Sequence, residues 1–453
     1  MPSLQGTLVM ARRALIAQQS AMAVTGNNIA NVNTPGYARR RALMTPLPGE
    51  MTISGRLGGG VEVNSIRSLR DPFIEQRYRA SLGESGYYGA EARQLGFLES
   101  MLQGMEETGL PAALDKFFNS WHDLSGDPNS SAHRNVVRES ARNLINKLRG
   151  AGNQILNQSN TLTSEISSKL ARINAINREL AVINSAFTGQ GGDVAAVDDQ
   201  RSILLDELST LSGATYEITD VGSVTVYIGG AVVVERSFAR NLEILDEGDG
   251  TRKLFLSDDT NRPLSGLAGE IGALENVLNN ELVVLKDGLD NFTLELVRMV
   301  NAVHVTGYGR DGTTGRTFFD PSATGILDLE LDSRIEMSVD AIATASTDAL
   351  TDNNIALAIA ELQTKPIYQH GSDNLSDLLR TTFSWLGIRV GESQDLAIGS
   401  ALATEQMNQW RESVNGVSLD EEMAQMVNMQ HAYNAAAKLI TGMDRMLDTV
   451  LAM

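Results

Sequence analysis

The chain of 453 residues contains no cysteine, and only 5% of its residues are aromatic. The absence of cysteine excludes disulfide bonds, thiolate nucleophiles and zinc sites with cysteine ligands. The sequence also lacks an apolar run of about 18 residues, the length that a membrane-spanning helix needs. Its first residues lack a basic stretch followed by an apolar one, so we expect no cleaved secretory signal peptide.

Positive charge is also scarce. There are 37 lysines and arginines against 56 aspartates and glutamates, which gives a formal net charge of −19. Nucleic acids and anionic membranes both bind positive surfaces, so we expect neither of them as a partner. The length allows two or three domains with separate cores.

Alanine, leucine, asparagine, serine and methionine are plentiful, and this composition favours long helices. The first helix is predicted at the N-terminus. On a seven-residue grid its apolar positions form a narrow stripe, which is typical of a coiled coil and too narrow for burial in an ordinary domain. Gln18 and Thr25 interrupt that stripe. Its apolar members are Leu4, Leu8, Ala11, Leu15, Met22, Ile29 and Val32.

This stripe stops abruptly at a cluster of asparagines. Asparagine is unfavourable inside a helix because its side chain competes for backbone hydrogen bonds. Proline then disfavours helical dihedral angles in the residue before it, and glycine permits a turn. The sequence therefore predicts a helix end within the segment Asn27, Asn28, Asn31, Asn33, Thr34, Pro35, Gly36 and Tyr37.

A second stripe of the same kind occupies residues 419–450, where nine of ten grid positions are apolar and Glu422 is the exception. The members of this stripe are Leu419, Met426, Met429, Tyr433, Ala436, Ile440, Met443, Leu447 and Val450. Two surface helices of a bundle would explain both stripes. The alternative, which we favour, pairs the two termini with each other and with neighbouring molecules. Because isolated amphipathic helices are marginal in water, we expect these ends to order on assembly.

Both ends resemble the bacterial flagellar axial proteins, the family of rod, hook and hook–filament junction subunits. The N-terminal resemblance rests on residues 27–37, and the C-terminal one on residues 417–433. The resemblance implies that the terminal helices pair as a coiled coil that lines the central channel of the flagellum. His431 and Ala38 depart from the family pattern at single positions.

The middle of the chain predicts long helices over 71–107 and 112–187, with breaks at Pro111 and near Asp127-Pro128. A loop with Gly189, Gly191 and Gly192 follows, and then a helix to about Leu211. Residues 214–264 alternate with period two and predict a small β module of about five strands. Helix resumes over about 268–306, and residues 38–68 read as an extended hairpin.

This order of elements resembles the hook-associated protein 1 (FlgK) family, the hook–filament junction proteins, more than rod or hook subunits. Three further segments carry the resemblance: residues 199–208, residues 265–271, and Asn301 with His304, Gly307, Phe318 and Phe319. The predicted fold is mainly α with a small inserted β domain (α+β). The predicted domains are 1–70 with 400–453 for assembly, 71–212 with 265–399 for a helical bundle, and 213–264 for the β domain.

The resemblance implies a structural protein of the flagellum with no enzymatic activity and no cofactor. The implied partners are hook protein, a second hook-associated junction protein, copies of this chain in a ring, and a cytoplasmic export chaperone at the C-terminal helix. The implied location is the extracellular flagellar hook, reached by export of an essentially unfolded chain. The apolar residues of the two stripes are the predicted contacts with partners.

The residues themselves supply no catalytic or metal-binding pattern. The five histidines are widely spaced, and His304 is better explained by packing than by metal binding. Gly58-Gly59-Gly60 predicts a turn rather than a phosphate loop, and residues 246–251 predict a hairpin turn rather than a calcium loop. The arginines at 39–41 indicate a contact with another subunit.

Two alternatives for the function stay open: another axial subunit of hook or distal rod, and a secreted hydrolase on an axial scaffold.

Overall fold

The computed structural model describes residues 4–49, 51–52, 55–56, 58–103, 109–188, 194–220, 222–248, 250–347, 352–366 and 373–452. Within these ranges the α-helices are α1 (Leu4–Ala30), α2 (Pro72–Gln103), α3 (Leu110–Gly126), α4 (Ser131–Thr188), α5 (Val194–Ser212), α6 (Gly269–Asn276), α7 (Leu282–His304), α8 (Ser333–Met337), α9 (Asn354–Ala360), α10 (Leu375–Asn415) and α11 (Leu419–Leu451). A π-helical turn, Val277–Glu281, joins α6 to α7.

The β-strands in the same ranges are β1 (Arg40–Pro46), β2 (Met51–Thr52), β3 (Gly55–Arg56), β4 (Val61–Ser68), β5 (Thr215–Ile218), β6 (Val224–Ile228), β7 (Ala231–Glu235), β8 (Phe238–Ala239), β9 (Leu242–Asp246), β10 (Arg252–Leu256), β11 (Tyr308–Gly309) and β12 (Ala343–Ala345). Every pairing between these strands is antiparallel. The predicted class, mainly α with small β elements, is confirmed.

The predicted helix breaks have a direct structural cause. Pro111 lies in the first turn of α3, where its missing N–H is not needed for a helical hydrogen bond. The same helix ends at Gly126, and α4 begins at Ser131 after the predicted break at Asp127-Pro128. The loop predicted at Gly189, Gly191 and Gly192 lies outside the described residues.

The predicted hairpin after α1 is confirmed. Strand β1 pairs with β4 from Arg40 opposite Ser68 to Pro46 opposite Val61, with an irregularity after Leu43. The glycines before β4 are not in the predicted turn but continue the pairing of the hairpin: the Gly59 N–H donates to the Leu47 carbonyl at 2.8 Å, and the Leu47 N–H donates to the Gly60 carbonyl at 2.9 Å. Gly60 has a φ of +94°, which favours glycine.

The segment of the predicted β module contains two separate sheets. Strands β5 to β8 form one four-stranded sheet, while β9 and β10 form a separate hairpin. That hairpin is attached to the π-helical turn, because the Arg252 N–H donates to Asn279 Oδ1 at 3.0 Å and Asn279 Nδ2 donates to the Arg252 carbonyl at 2.9 Å. The turn predicted at 246–251 does connect these two strands.

The chain divides into two compact units. Unit 1 contains Met1–Ser85, Ile173–Asn241 and Ser400–Met453, and unit 2 contains Gly86–Arg172 and Leu242–Gly399. The four-stranded sheet therefore belongs to unit 1 and the β9–β10 hairpin to unit 2. The boundaries of the three predicted domains stay a prediction.

The core of unit 2 contains a buried cluster of aromatic rings, and hydrogen bonds to Asn301 hold part of it in place. The buried members are Phe117, Phe118, Trp121, His304, Phe318 and Phe319. Asn301 fixes the loop that carries two of these rings. Its Oδ1 accepts from the N–H groups of Phe318 and Phe319, both at 2.9 Å, and its Nδ2 donates to the Phe319 carbonyl.

His304 is fully buried in this cluster and hydrogen-bonded on both ring nitrogens. Its Nε2 accepts from the Ala343 N–H at 2.9 Å, so Nδ1 carries the proton and donates to the Arg316 carbonyl at 2.8 Å. Burial lowers the pKa of His304 to about 4. The prediction of a packing histidine is confirmed.

Candidate assembly site at the chain termini

The two terminal helices pack against each other in unit 1. Thr25 of α1 contacts Met429 of α11, with 3.9 Å between Oγ1 and Sδ, and Asn28 contacts Glu422. Residue numbers rise along α1 as they fall along α11, so the two helices run antiparallel. The predicted pairing of the termini within one chain is therefore present in the structure.

The inward face of α11 follows the predicted stripe closely. Ala436 and Met443 are buried, and the other inward members, Met426, Met429, Tyr433, Ile440 and Leu447, are half-buried. Leu419 departs from the prediction because it opens the helix and is 43% exposed. The side chain of Val450 lies outside the described part of the structure.

The inward face of α1 is broader than the predicted stripe. Leu8, Leu15, Met22 and Ile29 are half-buried and Ala11 is buried, while Ala17, Ala21, Val24 and Asn28, which the stripe omits, are among its buried residues. The cause is that α1 packs against β1 and β4 as well as against α11. Val32 lies beyond the end of the helix rather than in it, and the side chain of Leu4 is outside the described part.

The asparagine segment ends α1 at Ala30, as predicted, and its side chains satisfy local groups. Asn31 Nδ2 donates to the Asn27 carbonyl at 2.9 Å, and Thr34 Oγ1 donates to Asn31 Oδ1 at 3.2 Å. Asn33, Thr34, Pro35 and Gly36 are exposed in the turn that follows.

Asn28 differs from its neighbours because it is buried and uses all of its hydrogen-bonding capacity. Its Nδ2 donates to the Arg40 carbonyl at 2.9 Å and to Glu422 Oε2 at 2.8 Å. Its Oδ1 accepts from the Arg40 N–H at 3.0 Å and from the Tyr37 hydroxyl at 2.8 Å. One side chain therefore connects the end of α1, the start of β1 and the start of α11.

Glu422 is the buried acidic partner of this asparagine and is only 1% exposed. Its second oxygen, Oε1, accepts from Arg39 Nε at 2.7 Å. Arg39 also donates to Glu421 at 2.7 Å, and its N–H donates to the Asn415 carbonyl at the end of α10. We call Asn28, Arg39 and Glu422 the polar triad.

The neighbouring arginines are likewise used inside the chain. Arg40 pairs with Asp199 of α5 at 2.8 Å, and Arg70 pairs with the same carboxylate at 2.6 Å. Arg39 and Arg40 therefore make ion pairs within the chain, and the expected contact of this arginine run with another subunit stays a prediction. Arg41 is exposed on β1, directly opposite Arg67 of β4.

Further apolar side chains of the paired helices lie outside the inward faces and are exposed, and we call them the outward residues. They are 43% to 60% exposed and lie on both helices: Val9, Ile16, Leu419, Met423, Val427, Leu439 and Met446. Such a concentration of exposed apolar side chains is typical of an interaction surface. Within the described residues, no helix is long and apolar enough to cross a bilayer.

Sequence reasoning missed two members of the triad, Glu422 and Arg39, as site residues. The available signal was the single acidic position in an otherwise apolar stripe, since a buried carboxylate requires a partner. The identity of that partner could not be read from the pattern, because Arg39 lies 383 residues away in the chain.

Three family models match the chain. The FlgK helical domain of the flagellar hook-associated protein matches residues 95–319. The flagella basal body rod protein model matches residues 8–37, and the C-terminal model of the basal body rod FlgEFG proteins matches residues 413–453. The two terminal models cover α1 with its asparagine turn and α11, the elements that form the candidate site.

Individual relatives agree with these models. Flagellar hook-associated protein 1 of Bacillus subtilis is 28% identical, over 98% of this chain and 97% of that protein. Its counterpart in Salmonella typhimurium is 27% identical over 67% of this chain, and the match spans 57% of the Salmonella protein.

A solved structure, that of the flagellar hook junction protein FlgK from Burkholderia pseudomallei, has the same fold. The TM-score is 0.63 at 12% identity, over 76% of this chain and 100% of the Burkholderia chain. Family models at both ends and in the middle, together with a full-length relative, lead to one conclusion. The chain belongs to the flagellar hook-associated protein 1 (FlgK) family.

Proposed function

We propose that this chain is a structural protein of the bacterial flagellum that connects the hook to the filament. The observation that carries the proposal is the arrangement of the termini: α1 and α11 pair through their inward faces while the apolar outward residues remain exposed. A subunit of a tube needs this combination, because one face closes the subunit and the other contacts its neighbours.

The proposed partners follow from this arrangement and from the family. Further copies of the chain in a ring contact the outward residues, and hook protein and a second junction protein lie below and above that ring. Before assembly, an export chaperone covers the outward residues of α11, which include Met423, Val427, Leu439 and Met446. The proposed location is the extracellular flagellum.

The alternative function, a subunit of the hook or distal rod, is favoured by one observation only. Both terminal family models carry the name of rod proteins, so the termini alone do not distinguish the axial classes. The helical-domain model over residues 95–319 favours the junction role, since it names the hook-associated protein.

Deletion of the gene tests the proposal against this alternative. We expect cells with hooks but no filaments that release flagellin into the medium, and restoration of filaments by the intact gene. Cells without hooks would support the rod alternative. Normal filaments in the deletion strain would contradict both.

A further inference from the structure

The polar triad places a buried charge in a contact between the terminal helices whose other inward positions on α11 are predicted to be uncharged. Of the inward positions predicted on α11, Glu422 alone is charged, and it is almost completely buried. Both of its oxygens are occupied, one by Asn28 of α1 and one by Arg39, which follows the asparagine turn. A buried carboxylate with two partners fits only one position along the neighbouring helix.

The rest of the contact defines that position poorly. The buried residues of α1 include Ala11, Ala17 and Ala21, and those of α11 include Ala436 and Met443. Alanines present smooth surfaces, and methionine adapts to irregular gaps. Because the apolar positions also repeat every seven residues, a shift by one heptad would again bring apolar side chains opposite one another.

A shift of α11 by one heptad, about 10 Å, illustrates the difference. Moving Glu422 seven residues toward the N-terminus of α1 would place it opposite Ala21, a buried apolar position. The carboxylate would lose both partners there, and Asn28 would keep only its bonds to Arg40 and Tyr37. Buried polar groups are known to fix register in coiled coils through such a penalty.

We propose that the polar triad determines the register of α11 against α1. The proposal deepens the proposed function and rests on it for its significance, because identical neighbours in a tube require identical registers in every subunit. Arg39 and the backbone of Arg40 belong to the same hydrogen-bonded group, so the triad also joins α11 to the start of the β1–β4 hairpin.

The test uses engineered cysteines in the full chain, which has none of its own. Thr25→Cys with Met429→Cys reports the native register. Gln18→Cys with Met429→Cys reports the shifted one, because Gln18 lies one heptad before Thr25 on the same helix. A short thiol-specific crosslinker is applied to each pair in purified protein, and the linked fraction is measured by mass spectrometry.

In the parent chain we expect crosslinking mainly at the native pair, with a small baseline at the shifted pair. Glu422→Leu should keep the helices paired, since leucine suits an apolar face, while the shifted pair gains at least about fivefold in crosslinked fraction. Glu422→Gln, which keeps a hydrogen-bond acceptor for Asn28, should retain mainly the native register. Glu421→Leu, which removes the exposed partner of the same arginine, is the matched control and should behave as the parent.

Two results would overturn the proposal. If Glu422→Leu crosslinks only at the native pair, the short connection between α10 and α11 sets the register instead. If the parent crosslinks at neither pair, the triad is not formed and sets nothing. Failure of the proposed function is a separate result, because a parent chain that is in register but absent from flagella would refute the function and leave the triad intact.

Discussion

At the scale of single residues, His304 shows how one buried side chain makes the stability of unit 2 depend on pH. It donates from Nδ1 and accepts at Nε2, so only the neutral ring satisfies both neighbours. Burial lowers its pKa from the ordinary value of 6.5 to about 4. Between these two values the unfolded chain binds the proton and the folded chain does not, so folding stability falls as the pH falls.

We therefore predict that His304→Gln reduces the acid sensitivity of unit 2. Glutamine has a donor and an acceptor but does not titrate in this range. Between pH 7 and pH 4 the parent should lose on the order of 3 kcal/mol more unfolding free energy than the variant. Denaturant unfolding followed by tryptophan fluorescence measures this, since Trp121 lies against the histidine ring.

The exposed His431 of α11 provides the matched control for this prediction. His431→Gln should leave the pH dependence of the fluorescence transition as it is in the parent. Equal loss of stability in the parent and in His304→Gln would show that His304 does not cause the acid sensitivity.

At the scale of elements, the roles of the inward and outward faces of the terminal helices can be tested separately by substitutions at neighbouring residues. Leu15 and Ile440 are half-buried on the inward faces, while their neighbours Ile16 and Leu439 are 52% and 53% exposed. We predict that Leu15→Asp with Ile440→Asp unpairs the helices, because unpaired carboxylates on a half-buried face cost about 1–3 kcal/mol each.

Amide hydrogen exchange measures this effect. In the inward double variant, exchange in α1 and α11 should accelerate by at least about tenfold while unit 2 is unchanged, and the protein should not enter flagella. The outward pair, Ile16→Asp with Leu439→Asp, is the matched control and should keep its protection in the free chain. If the inward variant is incorporated and supports swimming, the pairing of the termini is not needed for assembly.

The same elements show what the sequence could predict. The end of α1, the inward face of α11, the hairpin and most helix boundaries followed from periodicity, asparagine, proline and glycine, because these signals act within a few residues. The division of the β module did not, since the hairpin is held by Asn279, a helix residue outside the strand pattern. The triad was missed for the same reason: its members come from distant parts of the chain.

At the scale of the whole molecule, the two units differ in how completely they bury their side chains. The aromatic cluster of unit 2 includes rings that are inaccessible to solvent, such as Phe117 and Trp121. About half of the inward residues of α1 and α11 are only half-buried, and the outward residues are exposed. Because local opening is easiest where few apolar groups are buried, the terminal helices should be the least stable part of the free chain.

We predict that limited proteolysis of the purified chain removes about 30 residues from each end before it cuts the helices of unit 2. In assembled flagella the same ends should resist the protease, because neighbouring subunits would cover the outward residues. Time-resolved mass spectrometry of both digests measures the order of cleavage. Ends that survive as long as unit 2 in the free chain would show that the termini are already stable there, and that assembly adds no order to them.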